Sequence, residues 1–211
     1  MRLKKLWSFI LFFFLLAAGF AADYYYKLQR APLIISSNFN NASQLSKLQK
    51  LSAQLAEYNH GHNFNEQLCF LADMSLPSGK NRFFIYDLKK QHVLESSLVT
   101  HGRCNKQWLT GRQYSNNIGS GCTSLGKYKV GKSYMGKFGL AYKLYGLEST
   151  NNNAFNRYVV LHSHECVPER EIDPYPICQS DGCPTVSPLF LKKLQLLIKS
   201  SNKPILLWIL E

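Results

Sequence analysis

One loop of this 211-residue chain combines residue types that suit covalent catalysis. In Ser180-Asp181-Gly182-Cys183-Pro184 the glycine permits a tight backbone turn, so the thiol and a neighbouring amide N–H can face one point. A cysteine nucleophile needs an imidazole within hydrogen-bonding distance to become a thiolate near neutral pH. His162, at the end of a Val-rich strand pattern, is the candidate. The two residues predict nucleophilic catalysis with Cys183 as nucleophile and His162 as base.

A second chemistry is open to the same stretch, because it contains two imidazoles and three thiols. His162 and His164 are two residues apart, so a strand would point both to one face, and Cys166, Cys178 and Cys183 follow. These side chains are zinc ligands. Their spacing matches no compact zinc pattern, and thiols outside the cell readily form disulfides. A third hypothesis makes His162 a core histidine and Cys183 a small buried hydrophobe.

The two histidines cannot share the role of base. Strand residues two apart lie about 7 Å from each other, so only one imidazole can approach a sulfur atom at about 3 Å. His162 closes the Val-rich strand, whereas His164 falls where the chain is leaving toward Pro168. On spacing alone either imidazole could be the base, and the strand-end position favours His162.

The N-terminus is typical of an export signal. Residues 1–5 are basic, and the 17 residues from Leu6 to Ala22 contain neither charge nor proline. The pattern predicts a signal peptide or a signal anchor, with a buried core helix as the alternative. Because positive charge is concentrated before the run, the remainder should lie outside the cytoplasm. We expect an anchor at residues 6–22 in the inner membrane and a domain in the periplasm or cell envelope.

The composition limits the partners. A chain with 45% hydrophobic and 18% charged residues excludes disorder and coiled coil, and its net charge of +12 favours an anionic partner. An exported domain rarely meets DNA, and no basic motif interleaved with aromatic residues is present, so we predict no nucleic-acid partner. An anionic envelope polymer fits better. Five lysines without an intervening acid lie between residues 123 and 147; a solvated strand face is the alternative.

The remaining pattern predicts a mainly β fold with peripheral helices over residues 41–211, after a linker at 23–40. Leucines at helical spacing predict an amphipathic helix at 41–60, and a second helix is predicted at 187–200. Strands are predicted at 68–74, 82–87, 92–99, 158–164 and 205–210. Frequent glycines between residues 119 and 139 indicate a twisted, partly closed sheet.

The residues around the predicted nucleophile resemble the L,D-transpeptidases with a YkuD-like catalytic domain. In that family a His at a strand end is followed by Ser/Thr-His-Gly-Cys, and here His162 is followed by Ser180-Asp181-Gly182-Cys183. The match is closer to a divergent branch, the murein L,D-transpeptidase catalytic domain proteins, which has Ser-x-Gly-Cys-Pro. The resemblance covers about residues 45 to 210, and further motifs follow in the order of that branch. They are Met74-Ser75-Leu76-Pro77-Ser78-Gly79, Phe84-Ile85-Tyr86-Asp87-Leu88, His101-Gly102, Tyr114-Ser115-Asn116, Ser124-Leu125-Gly126-Lys127-Tyr128, Gly146-Leu147-Glu148 and 153–157.

The resemblance implies a peptidoglycan enzyme that acts on tetrapeptide stems. Cys183 would attack the carbonyl of the diamino-acid third residue, expel the terminal D-Ala and pass the acyl group to an amine or to water, with His162 moving the proton. The backbone N–H groups of Gly182 and Cys183 are candidate oxyanion donors, and Ser180 would support the loop or the substrate. Two further positions match pocket or framework residues, Tyr134 and Arg157. We predict no metal, no cofactor and a monomer.

Two positions depart from the family pattern. Asp181 stands at the position of the second family His, where the resemblance implies contact with the substrate or oxyanion. Thr185 replaces an Arg or Asn two residues after the cysteine. A donor to substrate or oxyanion is therefore missing. This leaves open whether the acyl-enzyme is hydrolysed instead, and whether the chain is a non-catalytic wall-binding module with a degenerate site.

The other cysteines give a partial disulfide prediction. With the nucleophile free, five of the six remain, so at least one more is unpaired. Cys166 and Cys178 flank the loop between base and nucleophile, and a bridge there would hold the site; Cys104 with Cys122 is the second choice. Connectivity cannot be deduced from sequence. Cys69 falls in an apolar strand as a core residue.

Overall fold

The computed structural model describes residues 42–211. The predicted signal segment at 1–22 and linker at 23–40 lie outside the described residues. Within the described part, no helix is both long and apolar enough to cross a membrane.

Eight strands form one mixed sheet, accompanied by two helices. The helices are α1 (Ala42–Gly61) and α2 (Pro188–Ser200), and the strands are β1 (Leu68–Asp73), β2 (Phe83–Asp87), β3 (His92–Ser97), β4 (Gly126–Gly136), β5 (Gly139–Gly146), β6 (Val160–Ser163), β7 (Thr185–Val186) and β8 (Leu206–Leu210). The sheet order is β3-β2-β1-β8-β4-β5-β6-β7. The predicted mainly β fold with peripheral helices is confirmed. Because β3 and β7 are edges in the described chain, the sheet does not close into a complete barrel.

The last strand, β8, occupies the centre of the sheet. It pairs parallel to β1 and antiparallel to β4, and four of its five residues are buried. A strand covered on both faces needs apolar side chains on both, which the run Leu206–Leu210 supplies. This strand joins the antiparallel meander β1–β3 to the β4–β7 half, which carries the predicted nucleophile and base.

Each face of the sheet is covered by a helix, because successive residues of the central strands point to opposite sides. On one face, α2 packs on strand residues; this core includes Phe70, Leu161, Phe190, Leu194 and Leu207. On the other face α1 packs with Leu48 and Leu55 against Leu71 and Leu206. Helix α2 begins at Pro188 after the cap residue Ser187, whose Oγ accepts from the Phe190 N–H at 3.3 Å.

Strand β6 orients the predicted base. Its residue Leu161 pairs with Tyr142 and packs in the α2-side core, so the next residue, His162, points to the opposite face. Two long connections lie around this residue: the β3–β4 loop (98–125) and the β6–β7 loop (164–184). Each contains one disulfide, Cys104–Cys122 and Cys166–Cys178, so both predicted pairings are confirmed.

Candidate active site

The β3–β4 and β6–β7 loops enclose a cavity of about 440 Å³, called here the thiol cavity. It brings together eight of the residues singled out in the sequence: Cys183, His162, Ser180, Asp181, Thr185, His164, Cys166 and Cys178. Its volume lies in the range of small-molecule and peptide sites. The predicted nucleophile and base therefore line one cavity, although 21 positions separate them in the sequence.

The nucleophile is held against the start of the strand that carries the base. The Val160 N–H donates to Cys183 Sγ at 3.5 Å, and Sγ lies 3.8 Å from the Tyr158 carbonyl oxygen. Burial raises the pKa of the thiol; the Val160 amide opposes this, the Asp181 charge adds to it and the Arg157 charge lowers it. The resting thiol is therefore protonated at neutral pH, and its reaction needs a base.

The hydrogen bonds of His162 define its tautomer. Nδ1 lies 3.1 Å from the Ser163 carbonyl oxygen, which can only accept, so the proton is on Nδ1. Nε2 is then the acceptor, and the Thr185 hydroxyl at 3.1 Å donates to it. Burial lowers the pKa of His162, which keeps the ring neutral, although the Ser163 carbonyl partly offsets this. His162 thus offers an unprotonated nitrogen, as a general base requires.

His164 occupies a different environment. It is exposed, and its Nδ1 accepts from the Cys166 N–H at 3.1 Å. The Phe138 ring stacks on His162 with centroids 5.0 Å apart but meets His164 edge-on at 5.9 Å. Both rings line the thiol cavity, and the burial of His162 supports its choice as base over the exposed His164.

The loop that carries the thiol depends on a glycine. Gly182 has φ +105°, and a Cβ there would lie 2.5 Å from the Cys122 carbonyl oxygen. Its N–H donates to Ser180 Oγ at 3.2 Å, and that hydroxyl donates to the Cys183 carbonyl oxygen at 2.7 Å. The Gly182 amide is therefore used within the loop, which leaves Cys183 N–H as the remaining candidate of the two oxyanion donors. Ser180 supports the loop.

Gly182→Ala tests this geometry. We expect at least about a 100-fold loss of activity, because a Cβ against a backbone carbonyl must displace the thiol by a substantial fraction of an ångström. Gly119→Ala is the matched control: Gly119 also has positive φ, +76°, but its Cβ would meet nothing within 4 Å. The turnover rates and melting temperatures of the two variants are measured and compared. A fully active Gly182→Ala chain would contradict the steric argument.

Arg157 is a framework residue. Its guanidinium donates to the Ser115 and Cys122 carbonyl oxygens and to the hydroxyls of Ser120 and Ser124. It therefore fixes the carbonyl against which the Gly182 turn packs. This guanidinium lies behind the thiol loop and is absent from the described lining of the thiol cavity.

Tyr134 lies on β4, opposite Ala141, and is 40% exposed. It is not among the described residues that line the thiol cavity. The pocket or framework role suggested for Tyr134 by position matching therefore stays a prediction.

Asp181 forms an ion pair at the thiol cavity. Its Oδ1 accepts from Arg103 Nε at 2.7 Å. Arg103 belongs to the β3–β4 loop, whose Gln107 and Trp108 also line the cavity. The sequence pattern does not predict these three residues, because their approach to Cys183 is a tertiary contact. The motif His101-Gly102 immediately before Arg103 was the available signal.

Asp181→Asn should shift the thiol titration to lower pH. The Asp181 carboxylate raises the pKa of Cys183, because a negative charge nearby disfavours the thiolate, and an amide removes that charge. The pH dependence of alkylation by iodoacetamide, a neutral reagent, measures the change. Glu165→Gln is the control, since Glu165 is an exposed acid of the same loop that does not shift this pKa. An unchanged or upward-shifted profile for Asp181→Asn would be inconsistent with the charge effect.

The zinc hypothesis is wrong for the described chain. Two of its three thiols, Cys166 and Cys178, are joined to each other in a disulfide and cannot be thiolate ligands. Residues 42–211 contain no cluster of three or more His, Cys, Asp or Glu side chains arranged to hold a metal ion. The free cysteines of this part are Cys183 and the buried Cys69, which lies in the core as predicted.

The sequence model of one protein family, the L,D-transpeptidase catalytic domain, matches residues 40–207. There is no significant match among curated proteins. Three solved structures are similar. The helical cell shape determining protein Pgp2 from Campylobacter jejuni is 13% identical, with a TM-score of 0.39, and the match covers 67% of this chain and 46% of that chain. The L,D-transpeptidase from Xylanimonas cellulosilytica is 15% identical (67% of this chain, 59% of that chain, TM-score 0.37), and the L,D-transpeptidase from Mycobacterium smegmatis is 12% identical (68% of this chain, 58% of that chain, TM-score 0.39). The chain spans about half the length of these solved proteins.

Proposed function

The chain belongs to the L,D-transpeptidase catalytic domain family, and from this membership we propose that it is a peptidoglycan L,D-transpeptidase acting through a cysteine acyl-enzyme. The observation that carries the proposal is the pairing, in one cavity, of the free thiol of Cys183 with a neutral His162. The substrates are tetrapeptide stems. The site of action is the cell envelope, with residues 6–22 as membrane anchor or signal peptide, and the chain acts as a monomer.

In the proposed acylation, the Cys183 thiol loses its proton to His162 Nε2 and its sulfur bonds to the carbonyl carbon of the third stem residue. The C–N bond to the terminal D-Ala then breaks, and the leaving amine takes the proton back from His162. An amine of a neighbouring stem then attacks the thioester and regenerates the thiol, which forms a cross-link. Attack by water instead releases a tripeptide.

Two groups support this chemistry. The Cys183 N–H is the oxyanion donor, and such a donor typically contributes about 3 kcal/mol to the transition state. The Thr185 hydroxyl is the resting partner of His162 Nε2, so the thiol proton reaches that nitrogen through this hydroxyl or after it rotates away. Thr185 therefore positions the base, a role that differs from that of the Arg or Asn it replaces.

Incubation of the full-length chain with purified tetrapeptide stems, followed by mass spectrometry, tests the function. A cross-linked dimer is expected for transpeptidation, and loss of D-Ala alone would show carboxypeptidase activity. A chain that changes no stem is not an enzyme of this class.

The competing function is a non-catalytic wall-binding module with a degenerate site. The protonated resting thiol and the engaged Nε2 are compatible with that alternative. A carbapenem distinguishes the two, because a functional thiol should open the β-lactam and form a stoichiometric adduct on Cys183. A wall-binding module should bind sacculi and form no adduct.

A further inference from the structure

We propose that Arg103 binds a substrate carboxylate next to the scissile bond. This inference rests on the proposed function and names the feature of the stem peptide that the thiol cavity selects. Arg103 and Cys183 line the same cavity, and among the side chains that line it in the described chain, Arg103 carries the only permanent positive charge.

The backbone of Arg103 is fixed relative to the segment that carries the nucleophile. Its N–H donates to the Ser180 carbonyl oxygen at 2.8 Å, and the preceding Gly102 forms a parallel bridge with Ser180. The following residue, Cys104, is joined to Cys122. Because the backbone on both sides is held, little backbone freedom is lost when the side chain binds a ligand.

Asp181 orients the guanidinium and leaves most of its donors available. The contact uses Arg103 Nε, one of the five N–H donors of the side chain. The four donors on the terminal nitrogens have no protein acceptor within residues 42–211. The side chains of Arg103 and Asp181 are 44% and 70% exposed, so the pair lies where a ligand can reach it.

The bond to Arg103 also accounts for the acid beside the nucleophile. Asp181 raises the pKa of the Cys183 thiol and so opposes formation of the thiolate. An acid at this position therefore disfavours thiolate formation, and its presence needs another structural reason. That reason is the contact that holds Arg103 toward the cavity, and it explains why this chain has an acid where the family pattern has a histidine.

The proposed substrate supplies the matching group. A tetrapeptide stem has a carboxylate on the D-Ala that leaves, and a second one on the third residue where that residue is a diamino dicarboxylic acid. Both lie close to the amide that is cleaved. A guanidinium binds a carboxylate through two parallel N–H···O bonds, which fix direction as well as distance. A carboxylate on Arg103 would therefore set the position of the scissile carbonyl relative to Cys183 Sγ.

Four synthetic stems test the assignment and identify the carboxylate. One has both carboxylates free, one is amidated at the C-terminus, one is amidated on the third residue, and one is amidated at both places. The full-length chain is assayed with each by mass spectrometry. Amidation of the group that Arg103 contacts should lower kcat/KM about 10- to 100-fold, the effect of one charge-assisted hydrogen-bonded contact, and the stem that suffers the loss identifies the carboxylate.

Variants connect the loss to the side chain. Arg103→Gln should turn over the free stem about 10- to 100-fold more slowly and should show no further loss on amidated stems. Arg103→Lys keeps a point charge and should retain part of the discrimination. Lys106→Gln removes an exposed cation of the same loop that does not line the cavity, and should behave as the unmodified chain.

The outcomes separate this inference from the proposed function. If the unmodified chain turns over all four stems at equal rates, or if Arg103→Gln still discriminates among them, Arg103 binds no substrate carboxylate. If no stem is turned over and no carbapenem adduct forms, the proposed function fails and the assignment of Arg103 fails with it. Equilibrium binding of the four stems to Cys183→Ala should show the same preference without turnover, and equal affinities there would also overturn the assignment.

Discussion

Cys183→Ala is expected to abolish turnover, with a loss on the order of 10⁴-fold or more, while the chain remains folded. The substitution removes the atom that forms the thioester, so binding contacts are all that remains to promote the reaction. The residue lies in a loop and is partly exposed, so the loss of one sulfur atom affects packing little. Turnover of tetrapeptide stems and labelling by a carbapenem measure the effect. Turnover or carbapenem labelling at the level of the unmodified chain would contradict the acyl-enzyme mechanism.

Cys69→Ala is the matched control for this prediction. Cys69 is the other free cysteine of the described chain, is fully buried in β1 and packs on the α1 side of the sheet. Burial raises the pKa of its thiol, which keeps it unreactive. We expect unchanged kcat and a modest loss of stability, of about 1 kcal/mol, measured by thermal melting.

The second large effect is expected from His162→Gln, which removes the base and should lower kcat by about 10²- to 10⁴-fold. With no imidazole to accept the proton as the sulfur reacts, the variant must first lose its thiol proton to water. The pH at which Cys183 reacts with a neutral alkylating agent should therefore rise. Glutamine occupies a similar volume, so the effect reports the lost base rather than a cavity.

His164→Gln is the comparison, since that ring is exposed and bonded to the Cys166 amide. It should change kcat and the alkylation profile much less. Should the two variants exchange behaviour, the base is His164.

The pH profile of the unmodified chain gives a further check on His162. Burial lowers the pKa of His162 below the ordinary value of 6.5, and a general base acts in its neutral form. The neutral form, and with it the activity, should therefore persist to pH values below 6.5. An acid limb well above that value would show that another group limits the rate.

Much of the secondary structure follows from local pattern. The helix predicted at 187–200 is observed as Pro188–Ser200 with Ser187 as its cap, and the strand predicted at 82–87 is observed as Phe83–Asp87. These elements are short-range consequences of hydrophobic period and capping chemistry, which a sequence displays directly. The sequence pattern does not predict the two-residue strand β7, because so short a segment has no measurable period.

The sequence by itself determined which side chains could react: a thiol after a glycine, an imidazole at a strand end, and cysteines placed to bridge their own loops. Only the tertiary structure decided how they are used. It placed β8 at the centre of the sheet, committed the Gly182 amide to Ser180, and brought Arg103 to Asp181 across 78 positions. The physical reason is that periodicity records which face of an element is buried but not which distant element covers it. Partners far apart along the chain meet only when the whole sheet and its loops pack together.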